Sequence, residues 1–231
     1  MASGANHSPP SYETVSASDP RAQLATRDLP SFVVDGNLVY PSTPPSRALY
    51  ELNSPPCEAR SHAYTVSKII YRVAPGGRRI RSRTEHIYDF KNYRVPLWLF
   101  PGVTHVLVQG RTSKTAKEVL MNPGWGPAAW TVTPRAFRAE QAFVDRFRRR
   151  AEICWRDWKG RLVAVEGRLE RGHDGRVQTL PRLDVKVELG EKMLDLLVTC
   201  WAARLWKEAT QNAHEPMTRA KFKRILDAGT Q

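Results

Sequence analysis

Cysteine is scarce in this 231-residue chain: Cys57, Cys154 and Cys200 are the only three. They are too few and too far apart to build a disulfide framework, and no two stand at the spacing of metal ligands. No metal site and no cofactor are expected. Cys200, set in an apolar run, reads as a packed thiol. Catalytic signatures are missing too. Neither G-x-S-x-G, H-E-x-x-H nor G-x-x-x-x-G-K-[ST] occurs. His62, His86, His105 and His173 are scattered; His86, beside Glu85 and Asp89, reads as a half-exposed strand residue. Gly76-Gly77-Arg78 is a turn rather than a phosphate loop, because no helix start follows it. No catalytic residue is assigned. Apolar runs of membrane-span length are absent, and the N-terminus, MASGANHSPPSYETV, lacks the apolar core of a secretory signal. A soluble cytoplasmic protein is expected, with contact at a membrane surface left open.

Acidic residues are in short supply against basic ones. Lys and Arg number 36 against 23 Asp and Glu, a formal charge of +13. The imbalance is uneven. Residues 1–60 hold four arginines and six acidic residues, a net of −2, so the remainder carries +15. A basic body attracts anionic partners: phospholipid head groups, nucleic acid or acidic proteins. A solvated, arginine-rich surface is the plainer alternative.

Residues 1–30 are rich in Ser, Ala and Pro and bury too little apolar surface to order themselves, so they read as a disordered tail. Within the tail, Pro9-Pro10-Ser11-Tyr12 matches Pro-Pro-x-Tyr. Two prolines pre-set a polyproline II turn, and the ring of Tyr12 would fill a WW-domain groove. Residues 31–210 read as the folded domain and 211–231 as an extension with a short helix near Met217 to Asp227.

The folded part is a series of short alternating segments with turn signals between them. Asp35-Gly36-Asn37, Ala74-Pro75-Gly76-Gly77, Trp158-Lys159-Gly160-Arg161 and Asp174-Gly175 each separate two such segments. Phe137 to Arg150 is ambiguous between helix and bulged strand, and strand is preferred. Leu183 to Leu189 is the last strand, with Val185, Val187 and Leu189 alternating against Lys186 and Glu188. Glu166, Glu170 and Asp184 are expected on solvent faces near Arg168 and Arg182. After Gly190 the period changes. Met193 to Trp206 is apolar almost all round, so residues 191–209 form a helix buried on most faces. A closed antiparallel β-barrel of about ten to twelve strands around that helix follows, since closure removes sheet edges and a wide barrel needs a filled lumen.

The ending WRDWKGRLVAVEGRLE, then LDVKVEL, then the apolar helix resembles the tubby C-terminal-like superfamily, which includes tubby proteins, LURP-one-related proteins and phospholipid scramblases. The blocks ALYEL, RTEHIYDF and DLLVTCWAARLWKEA are also similar to uncharacterised proteins of filamentous fungi. The resemblance implies a barrel of about twelve antiparallel strands threaded by a C-terminal helix. It carries over no phosphoinositide-binding residue, palmitoylation cluster or calcium ligand.

The remaining chemistry is anion binding. Arg79, Arg81 and Arg83 share one strand face with alternation, and that face is expected outside, because unpaired arginines do not sit in an apolar lumen. Arg146, Arg148, Arg149 and Arg150 form a second cluster. Guanidinium groups grip phosphates bidentately, so the clusters would suit anionic phospholipid or phosphoinositide surfaces, with Trp98 and Trp125 as candidate interface anchors. The expected function is a non-enzymatic binding or adaptor protein at such a surface, with a WW-domain partner on the tail. A nucleic-acid-associated or regulatory basic protein is the alternative, without any helix-turn-helix, zinc-finger or RNP pattern to support it. An enzyme of unknown reaction is third.

Overall fold

The computed structural model describes residues 29–43, 47–58, 61–73, 80–94, 104–124, 129–134, 136–141, 152–167, 170–171 and 177–213. Pro9, Pro10, Tyr12, Trp98, Trp125, the Asp174-Gly175 turn and the segment from Met217 onward lie outside them.

Turn chemistry cuts the chain into short extended segments. The first group is β1 (Ser31–Asp35), β2 (Leu38–Pro41), β3 (Tyr50–Leu52), β4 (Ala63–Val73), β5 (Ile80–Arg94), β6 (Thr104–Gly110) and β7 (Glu118–Pro123). The second is β8 (Trp130–Thr133), β9 (Phe137–Gln141), β10 (Ile153–Asp157), β11 (Leu162–Gly167), β12 (Glu170–Arg171), β13 (Val177–Thr179) and β14 (Arg182–Val185). Twelve of these close into one barrel in the order β1-β14-β11-β10-β9-β8-β7-β6-β5-β4-β3-β2. All its neighbours are antiparallel; β12 and β13 form a separate two-stranded ribbon. The β1–β2 turn is two residues long, and Gly36 takes a φ of 57° there, the sign such hairpins favour.

One helix, α1 (Glu191–Ala213), follows β14. Every residue from Asp195 to Lys207 is buried, which requires barrel wall on all sides of the helix. Period-2 alternation supplies that wall: Phe32 and Val34, Val119 and Met121, Trp130 and Val132, and Ile153 and Trp155 are all buried. Trp201 and Trp206 are each 1 % exposed or less. The chain is thus a closed antiparallel barrel of twelve strands around a buried C-terminal helix.

Two boundaries differ from expectation. The last strand stops at Val185 instead of Leu189. Its final neighbour bond is the Lys186 N–H to the Val163 carbonyl at 2.8 Å, after which the chain leaves the wall to enter the lumen. The helix runs to Ala213 rather than 209.

Antiparallel order assigns every connection to one of two ends. The end where β14 hands over to α1 also carries the β4–β5, β6–β7, β8–β9 and β10–β11 connections and the start of β1. We call it the mouth. At the other end, the base, the segment between β3 and β4 forms a 3-10 turn, η1 (Pro56–Glu58), which packs on α1. Tyr64, Phe90 and Trp206 meet there. Tyr64 and Phe90 stack at 5.0 Å, and Trp206 lies 5.4 Å and 5.7 Å from their centroids. The Tyr64 hydroxyl donates to the Pro55 carbonyl at 3.3 Å, joining this cluster to η1.

Candidate anion-binding end of the barrel

The helix is not purely apolar, and its polar side chains divide between the two ends. Towards the base, Arg204 is 1 % exposed and pairs with Glu166, which is fully buried. Arg204 Nε donates to Glu166 Oε2 at 2.7 Å, Trp155 Nε1 donates to the same oxygen at 3.0 Å, and Arg204 also reaches Glu208 at 3.0 Å. Glu166 is therefore not the solvent-face residue expected beside Arg168. Burial pushes its carboxyl up, while the guanidinium and the indole pull it down. Arginine does not deprotonate in proteins, so its fixed charge favours the carboxylate form of Glu166 against the larger upward push of burial. Arg204 itself was the legible signal: a cation inside a buried helix demands a buried acid. Further along, Lys207 donates to Asn92 at 2.7 Å, and burial holds its amine below the ordinary lysine value.

At the mouth, among the described residues, the side-chain bonds of the helix start run to β3 and β4. Tyr50 donates to Asp195 at 2.7 Å. Lys68 donates to both Asp195 oxygens, at 2.9 and 3.0 Å, and to Glu191 at 2.7 Å. Burial and the neighbouring Asp195 charge raise the Tyr50 phenol far above its usual range, so it acts as a donor. Burial opposes charge on Lys68, but the two carboxylates outweigh it and hold the amine above its ordinary value. Tyr50, Lys68 and Asp195 went unnoticed in the sequence, because Asp195 lies 145 residues from Tyr50 and 127 from Lys68, and the barrel must close before they meet.

The β4–β5 hairpin extends from this cluster. A bulge at Ile87, between the pairs Val66↔Tyr88 and Ser67↔His86, inserts one residue into β5. It switches the parity of everything towards the hairpin end. Uninterrupted alternation from the buried Tyr88 and Phe90 would leave Arg81 and Arg83 on the outer parity. With the bulge they share the face of Lys68, which turns towards the helix, and they stay exposed. Arg72 stands directly opposite Arg81, and Arg83 follows two residues along. No carboxylate pairs with Arg72, Arg81 or Arg83 among the described residues. On the opposite face, Val73 and Ile80 are register partners, exposed at 66 % and 49 %. Arg79 lies outside the described residues, as do Arg146, Arg148, Arg149 and Arg150. The strands flanking that second cluster, β9 and β10, are paired neighbours whose Gln141 and Ile153 ends stand at the base, away from the hairpin.

The β10–β11 hairpin stands on the far side of the mouth. Asp157 accepts the backbone N–H groups of Lys159 and Arg161 at 3.0 and 2.9 Å and so holds the turn. Trp158 is 64 % exposed at its tip, with the Lys159 ammonium 5.0 Å from the ring centroid. Between this hairpin and the start of α1 lies an open groove of about 610 Å³.

Among the described residues no histidine meets a nucleophile in a catalytic constellation. His86 is exposed and bonds Asp89 at 2.7 Å, and His105 bonds Asn122 at 2.7 Å. Asp184 does sit with Arg182, at 2.6 Å, as expected. Among the described residues no group of three or more His, Cys, Asp or Glu could hold a metal ion, and no helix is long and apolar enough to cross a membrane. Compared with family models, curated proteins and solved structures, the chain gives no match.

Proposed function

We propose that the chain is a non-enzymatic binding module that docks on anionic phospholipid surfaces through the mouth of its barrel, with the β4–β5 hairpin as the contact. One observation carries this. Arg72, Arg81 and Arg83 are exposed together on one face of the hairpin, and Val73 and Ile80 are exposed on the other. Like charges opposite one another across a sheet destabilise it, so this arrangement is relieved by an external anion. Guanidinium groups suit phosphate, and a solvent-exposed valine–isoleucine pair beside them suits the interfacial layer of a bilayer. Arg79 belongs to the same proposal.

The proposal extends to the tail, where Pro9, Pro10 and Tyr12 recruit a WW-domain protein. The start of β1, from which the tail leaves, lies at the mouth. We also propose membership of the tubby C-terminal-like superfamily, supported by the twelve-strand closed barrel and its C-terminal helix.

The test is co-sedimentation with phosphatidylcholine vesicles, with and without phosphatidylserine or phosphoinositide, in low and high salt. Binding is expected only to the anionic vesicles and should weaken with salt. Arg81→Glu with Arg83→Glu should reduce it about 30-fold or more, since each basic residue near such a surface is worth about 1 kcal/mol. Equal binding to neutral vesicles, or unchanged binding by the double variant, sinks the proposal. Retention on duplex nucleic acid with none on vesicles would favour the nucleic-acid alternative.

A further inference from the structure

We infer that the groove at the mouth is a binding site for the acyl chain of an anionic single-chain lipid, with Lys117 as head-group contact. This rests on the proposed membrane-facing mouth, but on different residues. The groove lies between α1 and the wall formed by β7, β9 and β11. Its lining is mostly apolar, with Val119, Phe137, Val163, Leu189, Met193 and Leu196, and the charged residues stand at the rim. Its volume, about 610 Å³, falls within the range of small-molecule sites, roughly 300–1,000 Å³.

The groove exists because the helix start is held asymmetrically. Lys68 and Tyr50 draw Asp195 and Glu191 towards β3 and β4. Met193 and Leu196, on the other side of the first turns, are left facing a wall they do not fill. Leu189 adds to the same lining because the chain leaves the sheet after Val185.

The charges at the rim select the occupant. Lys117, Glu118, Asp157 and Arg161 all line the groove; Glu118 alternates to the outer parity of β7, where Gln109 donates to it at 3.4 Å. Arg161 is already bonded to Asp157, at 3.1 Å. Lys117 is exposed and has no carboxylate within ion-pair distance among the described residues. An apolar slot with a free cation at its opening fits an amphiphile with an anionic head better than a neutral one. The exposed Trp158 stands beside the opening, where an aromatic ring would lie at the head-group level of a bilayer.

The experiment is titration of the full chain with monomeric decanoate, dodecanoate and tetradecanoate, followed by calorimetry and native mass spectrometry. One molecule should bind per chain, tightening about fourfold per added methylene until the groove is filled. Ala136→Trp fills the groove and should abolish binding. Should that variant fail to fold, Met193→Glu, at a half-exposed position, should weaken dodecanoate binding at least tenfold. Lys117→Glu should weaken dodecanoate but leave dodecanol unchanged. The Arg81→Glu and Arg83→Glu variant should still take dodecanoate, which separates this site from the hairpin. Absence of saturable binding to the wild-type chain, or binding indifferent to both groove substitutions, overturns the inference whatever the vesicle result. Dodecanol binding as tightly as dodecanoate overturns the head-group role of Lys117.

Discussion

The two ends of the central helix meet the barrel in opposite ways. At the base, Trp206 packs into the stacked pair Tyr64 and Phe90, and Arg204 is locked to Glu166 out of contact with water. At the mouth, the helix start is tied by a half-exposed lysine on one side and leaves a groove on the other. The sheet also differs. Through the barrel its inward residues are buried, whereas past Lys68 the β4–β5 hairpin turns arginines, valine and isoleucine to solvent. The base therefore holds the fold, and the mouth is where apolar and cationic surface is left exposed.

Substitutions should expose that contrast. The largest effect belongs to Trp201→Asp, which buries an unpaired charge in the lumen and should leave no cooperatively folded protein in a thermal melt. A folded Trp201→Asp variant would show that the helix lies elsewhere.

Next is Arg204→Leu, which strands Glu166 and should cost about 3–5 kcal/mol in denaturant unfolding. Adding Glu166→Leu should recover most of that loss, because the cost comes from the unpaired charge rather than from the lost bond. If the double variant is as unstable as the single one, the indole of Trp155 and the shape of the pair matter more than charge.

At the mouth the effects shrink. Lys68→Met removes bonds to two carboxylates at a position 21 % exposed and should cost about 1 kcal/mol. Arg81→Glu with Arg83→Glu should change stability by less than about 0.5 kcal/mol, and a larger loss would mean that the hairpin supports the fold.

The smallest effect is on the acid limb. The hydrogen bond and charge of Lys68 hold Glu191 below its ordinary 4.5. At Asp184, Ser31 and Arg182 overcome a burial penalty and hold the carboxyl below 3.8. With folded values depressed, the stability these groups contribute is complete above their unfolded values and is lost as pH falls through the folded ones. Asp184→Asn should therefore lower the melting temperature at neutral pH and flatten its decline between about pH 5 and pH 2. An unchanged decline would assign acid sensitivity to other carboxylates.

The barrel was legible because it is written in periods. Alternation at two residues and the change to an all-round apolar run after Gly190 are local patterns, and closure follows from the need to cover both. The hairpins at Gly36 and Gly160 were legible because positive φ selects glycine. The site was less so. Arg81 and Arg83 were expected in solvent because unpaired arginines avoid an apolar lumen, and they are exposed; that they share the face of Lys68 depends on the one residue inserted at Ile87, because a slip of one exchanges the faces of a strand. Glu166 reads as one more polar residue in a strand until Arg204, 38 positions on, is brought beside it.

By itself, then, the amino-acid order determined the segments, their turns, the buried helix and the basic character of the body, since propensity and periodicity act between near neighbours. Tertiary structure decided which charges are paired and which are left over. Arg204 was neutralised by Glu166 and Lys68 by Asp195, while Arg72, Arg81 and Arg83 were carried beyond the rim with Val73 and Ile80. Pairing depends on distance in space, and closing the barrel sets those distances.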